Sequence, residues 1–274
     1  MSVLTLLSDF GLQSPYPAAM KAVASQIVSV ETRFIDITHE IRPQGVREGA
    51  FVLASVAPEC PDGTVHCAVV DPGVGTDRQG LVVVTEGQIF VGPDNGLLIP
   101  AAERLRPIRS VHAIDLDRTT YLRTPVSATF HGRDVFAPVA AHLTAGIAPA
   151  AIGPILETWE TLDVSFTGAQ YDSESHTFRA EIVYVDRFGN LITNIPTIEL
   201  DQQRLSSEAP IGLASASERR NVNVVRATSF GFVDQGDICL IGGSHGLIEI
   251  AVRAGSARSA LGLDLGDRVS LALP

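Results

Sequence analysis

Over residues 3–146 the sequence alternates short apolar runs with stretches whose apolar residues recur at helical spacing. Beyond residue 177 the alternation stops and short β-type runs follow one another. No other feature restricts the fold as strongly. Strand–helix alternation requires crossovers over a sheet covered on both faces, whereas closely spaced strands punctuated by Gly, Asp and Asn close into a barrel or sandwich. VLTLLS (3–8), RFIDI (33–37), TVHCAVV (64–70) and SVHAIDL (110–116) read as strands, and residues 17–30, 46–57 and 133–146 as helices, the last ending at a glycine. GLVVVTEGQIFVG (80–92) reads as a hairpin turning at Glu86-Gly87. FRAEIVYVD, LITNI, NVNVVRA, DICLIG, LIEIAV and RVSLAL supply the strands of the second half. The expectation is an α/β N-terminal Rossmann-like domain with a mainly parallel sheet over 1–155, a polar linker over 156–177, and a C-terminal all-β barrel-like domain over 178–274.

Composition narrows the function. The formal charge of −11 argues against nucleic acid and anionic membrane surfaces as partners, since both require Lys and Arg to displace counterions. Cys60, Cys67 and Cys239 form no C-x-x-C and are odd in number, which suits buried thiols in a reducing compartment. MSVLTLLSDFG lacks a cationic start and a long apolar stretch, and no run reaches the roughly eighteen apolar residues of a membrane helix. A cytoplasmic protein is expected.

Common motifs fail where they can be tested. A dinucleotide fingerprint would need glycine at 78, which is arginine, and nothing matches a Walker loop. GGSHG (242–246) fits a hydrolase nucleophile elbow, but a strand-like LIEIAV follows instead of a helix, and no histidine lies beyond His245. A Gly-rich turn between two strands is the simpler reading. The seven histidines are scattered and no H-E-x-x-H occurs, so no metal site is expected.

The remaining polar clusters sit at strand ends. Asp9, Asp36 and Asp71 each follow or end an apolar run, and ligands of open α/β sheets bind outside the carboxyl ends of strands. Asp9 and Asp71 are therefore candidates for a common crevice, against the alternative that each caps the next turn. His131, in TFHGRD, precedes a helix. Asp186, Asn190 and Asn194 surround a Phe-Gly turn, where a hairpin with Asx turns is the plain alternative.

Taken together, SDFG (8–11), DITHEIRPQGVREGAF (36–51), VVDPGVGTDR (69–78), GPDNGLL (92–98), TFHGRDVFAP (129–138), DRFGNLITNI (186–195) and GSHGLIEIA (243–251) resemble the S-adenosyl-L-methionine hydroxide adenosyltransferases, relatives of the fluorinase and chlorinase enzymes. The resemblance implies an N-terminal α/β domain, a C-terminal β-barrel, and a homotrimer with each active site between one subunit's N-domain and its neighbour's C-domain. It implies S-adenosyl-L-methionine as a small-molecule substrate, not a cofactor, attacked by water or hydroxide at ribose C5′. Carried over by position, Asp71, Arg78 and His131 activate the water. Asp9 grips the ribose diol, Asp186, Asn190 and Ser244 hold the methionine end with Glu249 nearby, and Phe188 and Phe230 pack near adenine. Halogenating relatives carry tyrosine where this chain has Asp71, and a carboxylate there repels halide. SPYPAAMKA (14–22) lacks the acidic and glycine residues usual after SDFG, and Gln44 replaces a frequent aromatic. Three alternatives remain open: a non-catalytic nucleoside-binding module, an adenosyl halogenase, and a serine esterase at Ser244.

Overall fold

The computed structural model describes residues 2–162, 166–203, 211–215 and 221–274. The chain forms two compact units, Met1–Asp163 and Val164–Pro274. Their division falls inside the 156–177 stretch, of which residues 163–165 lie outside the described part.

The first unit runs β1 (Val3–Ser8), α1 (Tyr16–Ala24), β2 (Arg33–Thr38), α2 (Val46–Val56), β3 (Val65–Val69), β4 (Gly80–Val84), β5 (Ile89–Pro93), α3 (Ile99–Leu105), β6 (Ser110–Ala113), α4 (Ala137–Thr144) and α5 (Pro149–Ile152). The six strands form one sheet in the order β2-β1-β3-β5-β4-β6. Every residue of β1 and β3 is buried, as strands covered on both faces must be. Leu4 and Leu6 join the core with Met20 of α1 and Val139 of α4, while Leu7 lies near Gly49 of α2.

The sheet is mixed, which corrects the expected mainly parallel arrangement. β1 runs parallel to β2 and β3, and β3 parallel to β5, but β4 is antiparallel to both β5 and β6. The reason lies in connection length. β3 ends at Val69 and β4 begins at Gly80. A parallel crossover needs about a dozen residues or more, usually with a helix, so this loop can only turn the chain back.

Two helices differ from their expected extents. The helix expected over 17–30 stops at Ala24. The one expected over 133–146 opens with a π turn, Gly132–Phe136, before α4. Pro138 has no N–H for the Asp134 carbonyl, and that carbonyl instead accepts from the Arg123 backbone N–H at 2.9 Å.

The second unit contains β7 (Gln170–Asp172), β8 (Thr177–Val185), β9 (Leu191–Pro196), α6 (Thr197–Gln202), β10 (Ile211–Ser215), β11 (Asn221–Arg226), β12 (Ile238–Gly242), β13 (Leu247–Val252), α7 (Ala257–Leu261) and β14 (Arg268–Ala272). Strand order β14-β10-β11-β12-β13-β9-β8 returns to β14, a closed seven-strand barrel that β7 extends along β8. Its interior is filled by alternating side chains such as Phe178, Ala180 and Ile182 of β8 and Ile248, Ile250 and Val252 of β13.

Candidate active site

β1 and β3 are parallel neighbours with Ser8 opposite Val69. Asp9 and Asp71 therefore leave the same rim of the sheet, at the carboxyl ends of adjacent strands, where α/β sheets bind ligands. Asp71 opens the β3–β4 loop and Arg78 nearly closes it. The two meet as a fork: Arg78 Nε donates to Asp71 Oδ1 at 3.0 Å and Nη2 to Oδ2 at 2.5 Å. Arg78 also stacks on Phe136, with its guanidinium carbon 5.2 Å from the ring centroid. Asp71 and Arg78 side chains are only 5% and 10% exposed.

The same Nη2 lies 3.2 Å from His131 Nδ1, bringing together three residues from separate stretches. Arginine has no acceptor, so Nδ1 must accept, and the proton of the neutral ring sits on Nε2. Burial pushes the His131 pKa down, and the neighbouring Arg78 charge adds to this. Burial pushes the Asp71 carboxyl up, against the opposing pull of Arg78, His131 and the Gly73 backbone. Both shifts favour a neutral imidazole beside an unusually basic carboxylate.

Two glycines let these loops approach. Gly75 has φ +77, and a Cβ there would lie 2.3 Å from the Ala128 carbonyl oxygen, on the loop leading to His131. Gly132 faces the Phe10 ring, where a Cβ would come within 3.2 Å. Asp134, fully buried, accepts from Arg123, from both Nε and Nη2 of Arg133, and from the Ser127 backbone, which pins residues 123–134 in place.

Asp94 was not singled out by sequence reasoning, although GPDN ends a strand just as the other acids do. It follows β5 on the same rim and accepts from the Glu160 backbone at 2.8 Å. Its carboxyl is raised by burial, while the Glu160 hydrogen bond and the nearby Arg78 charge oppose the rise.

The other site candidates in the first unit and the barrel have definite surroundings. Asp9 accepts the Gln44 backbone N–H at 2.8 Å through Oδ2, and Gln44 holds a left-handed φ of +62 to deliver it. In the barrel, Asp186 fills the turn between β8 and β9: Oδ1 accepts from Phe188 and Asn190 backbone groups, and Oδ2 from Asn190 Nδ2. Phe188 stands at the tip of that turn, 77% exposed. Asn194 Oδ1 instead accepts from the Glu181 backbone inside the barrel sheet. GGSHG forms the turn between antiparallel β12 and β13, which removes the helix an esterase elbow needs at Ser244. Its His245 Nε2 is 3.0 Å from Glu249 Oε1. Phe230 begins a short 3-10 turn and is partly exposed. Among the described residues no cluster of three or more His, Cys, Asp or Glu could hold a metal ion, and no helix is long and apolar enough to cross a membrane.

Comparison with known proteins gives concordant matches. Residues 4–153 match the SAM hydroxide adenosyltransferase N-terminal domain and residues 180–270 the C-terminal domain. A Salinispora tropica protein named (R)-S-adenosyl-L-methionine hydrolase is 39% identical over 97% of this chain and 96% of its own. A fluorinase from an Actinoplanes species is more distant, 25% identical over 77% of each chain. The crystal structure of an uncharacterized conserved protein from Thermotoga maritima superposes with a TM-score of 0.89 at 35% identity, covering 98% of this chain and all of that one.

Proposed function

The chain belongs to the SAM hydroxide adenosyltransferase family, and from that premise we propose that it hydrolyses (R)-S-adenosyl-L-methionine to adenosine and L-methionine. The observation that carries the reading is the Asp71–Arg78–His131 contact at one sheet rim, in a chain matching a hydrolase of that substrate over nearly its whole length.

In the proposed reaction a water oxygen forms a bond to ribose C5′ as the C5′–sulfur bond breaks. Sulfur leaves as the neutral thioether of methionine, so the leaving group needs no acid. The proton released from the water is the one group requiring a base. Because Arg78 occupies Nδ1, His131 presents Nε2–H and serves as a donor that holds the water oxygen. The base is then Asp71, whose oxygens retain lone pairs beyond the two Arg78 bonds and whose burial raises its basicity. Arg78 keeps the carboxylate oriented and its charge compensated. Positioning of a water in line is worth up to roughly 7–11 kcal/mol in the best intramolecular cases. A carboxylate at 71 repels a halide nucleophile, which supports hydrolysis over halogenation.

The substrate is held in this reading by Asp9 on the ribose diol, by Asp186, Asn190, Ser244 and Glu249 at the methionine end, and by Phe188 and Phe230 at adenine. The family resemblance supports a homotrimer in which one subunit's N-domain meets its neighbour's C-domain at each site. It also supports a reaction without added cofactor. The free thiols Cys60, Cys67 and Cys239 support a cytoplasmic setting.

The test is incubation with S-adenosyl-L-methionine and chromatography of the products. Adenosine and methionine in equal amounts are expected, including in chloride or fluoride buffer. A halogenated nucleoside in place of adenosine, or tight binding without turnover, overturns the proposal. Asp71→Asn should lower kcat by about a hundredfold or more, within the span of removing a general base, and leave adenosine binding in place.

A further inference from the structure

Ser8, His39, Asp36 and Lys21 take no part in the chemistry above, yet they form one continuous polar chain ending beside Asp9. Ser8 is fully buried and His39 is 1% exposed. Ser8 Oγ lies 2.7 Å from His39 Nδ1, His39 Nε2 lies 3.2 Å from Asp36 Oδ1, and Lys21 Nζ donates to Asp36 Oδ2 at 2.6 Å. Lys21 is the only lysine in the sequence.

For a neutral imidazole at His39, donor accounting gives the chain a single direction. Asp36 is net shifted toward its ionised form: burial opposes this, but the hydrogen bonds from Lys21 and His39 outweigh it. An ionised carboxylate only accepts, so the neutral His39 ring must donate Nε2–H to it. Nδ1 is then an acceptor, so the Ser8 hydroxyl donates to Nδ1. Its oxygen is left to accept from the Phe10 backbone N–H, 3.3 Å away. With that tautomer, each hydrogen bond from Lys21 to Phe10 has an assigned donor. A buried serine with no accessible face is no nucleophile, so an arrangement resembling a Ser–His–Asp triad has another use here.

That use follows from what the chain spans. It ties the loop after β1, which carries Asp9, to the loop after β2, which carries Gln44. Two backbone bonds and one backbone-to-side-chain bond run alongside it: Gly11 N–H to His39 O at 2.7 Å, Ile41 N–H to Ser8 O at 3.4 Å, and Gln44 N–H to Asp9 Oδ2 at 2.8 Å. The last depends on Gln44 staying at a positive φ, a conformation that persists only where its surroundings impose it. We propose that Ser8, His39, Asp36 and Lys21 are positioning residues that fix Asp9 in advance for the vicinal diol of the substrate ribose. The proposal rests on the reading of Asp9 as the diol-binding carboxylate. A carboxylate already oriented loses less freedom on accepting two hydroxyl hydrogens.

The test compares the affinities of adenosine and 2′,3′-dideoxyadenosine for the full-length protein by calorimetric titration, in wild type, Ser8→Ala and His39→Asn. Thermal melting confirms that each variant is folded, and Ser8→Ala decides the matter if His39→Asn is not. Wild type is expected to prefer adenosine. The variants should lose about tenfold of that preference while binding the dideoxy ligand as before, a factor equal to about 1.4 kcal/mol. Equal weakening of both ligands would mean a general structural role and overturn the proposal, as would an unchanged preference. A wild type that does not distinguish the two ligands removes the reading of Asp9 itself, and the relay with it.

Discussion

Gly75→Ala places one methyl group where the structure has no room for it. The new Cβ would stand 2.3 Å from the Ala128 carbonyl oxygen, whereas real Cβ contacts stay above 3.0 Å. The two loops must part by at least the difference, 3.0 − 2.3, or roughly 0.7 Å. One loop carries Arg78 and the other leads to His131. Opening the 3.2 Å Arg78–His131 contact by that amount takes it to about 3.9 Å, past hydrogen-bonding distance. A misplacement near 1 Å costs about a hundredfold in rate, which sets the expected fall in kcat. The alanine must also hold φ +77, at a cost of about 1–2 kcal/mol. Gly63→Ala separates the two effects: Gly63 has φ +85, but nothing lies within 4 Å of the position its new methyl would take. Adenosine release and thermal denaturation are measured on both variants. Gly63→Ala should lose similar stability and keep wild-type kcat. If Gly75→Ala is folded and turns over at the wild-type rate, loop spacing does not set the geometry of Asp71, Arg78 and His131, and the reasoning is refuted.

Turnover should hold through neutral pH and fall in acid. His131 must leave Nδ1 unprotonated for Arg78, and its lowered pKa places that loss below the ordinary imidazole value of about 6.5. Asp71 must be ionised to act as base, so it titrates in the same sense, and a pH–rate profile that rises into acid contradicts both roles. Phe188→Ala should leave the melting temperature nearly unchanged, because the ring is 77% exposed, and raise KM by about tenfold if it stacks on adenine. An unchanged KM takes Phe188 out of the site. Asp134→Asn should cost about 3 kcal/mol in denaturant unfolding, near the low end for a broken buried pair because Arg123 and Arg133 keep partial access to water. A loss under 1 kcal/mol would mean that Asp134 does not anchor residues 123–134.

Much of the architecture was legible because it depends on local pattern. Mostly apolar runs gave β1 and β3, and Glu86-Gly87 marked the hairpin turn between β4 and β5. Strand direction was harder to read, since the apolar runs of β3 and β4 look alike whichever way they point. Only the length of the intervening loop distinguishes them. Helix α3 is not among the helices read from the sequence; it is only seven residues long, with Pro100 in its first turn, where proline is tolerated. Asp71, Arg78 and His131 could be named by resemblance, but their hydrogen-bond directions depend on the fold. His39 shows the limit most clearly. In sequence it is one histidine after a strand, a candidate loop cap, and its partners Ser8 and Asp36 come from two different strands.

The reversal of the chain between β3 and β4 also decides where charge can be placed. Had a helix carried the chain back to a parallel fourth strand, Arg78 would enter that strand at the far rim, a strand length of about 17 Å from Asp71. The short return delivers acid and guanidinium to one rim within a single excursion. Strand pairing on either side makes no demand on the residues between them. The β3–β4 segment is thus a cassette in which the nucleophile's environment can be rewritten while the sheet that presents it stays as it is.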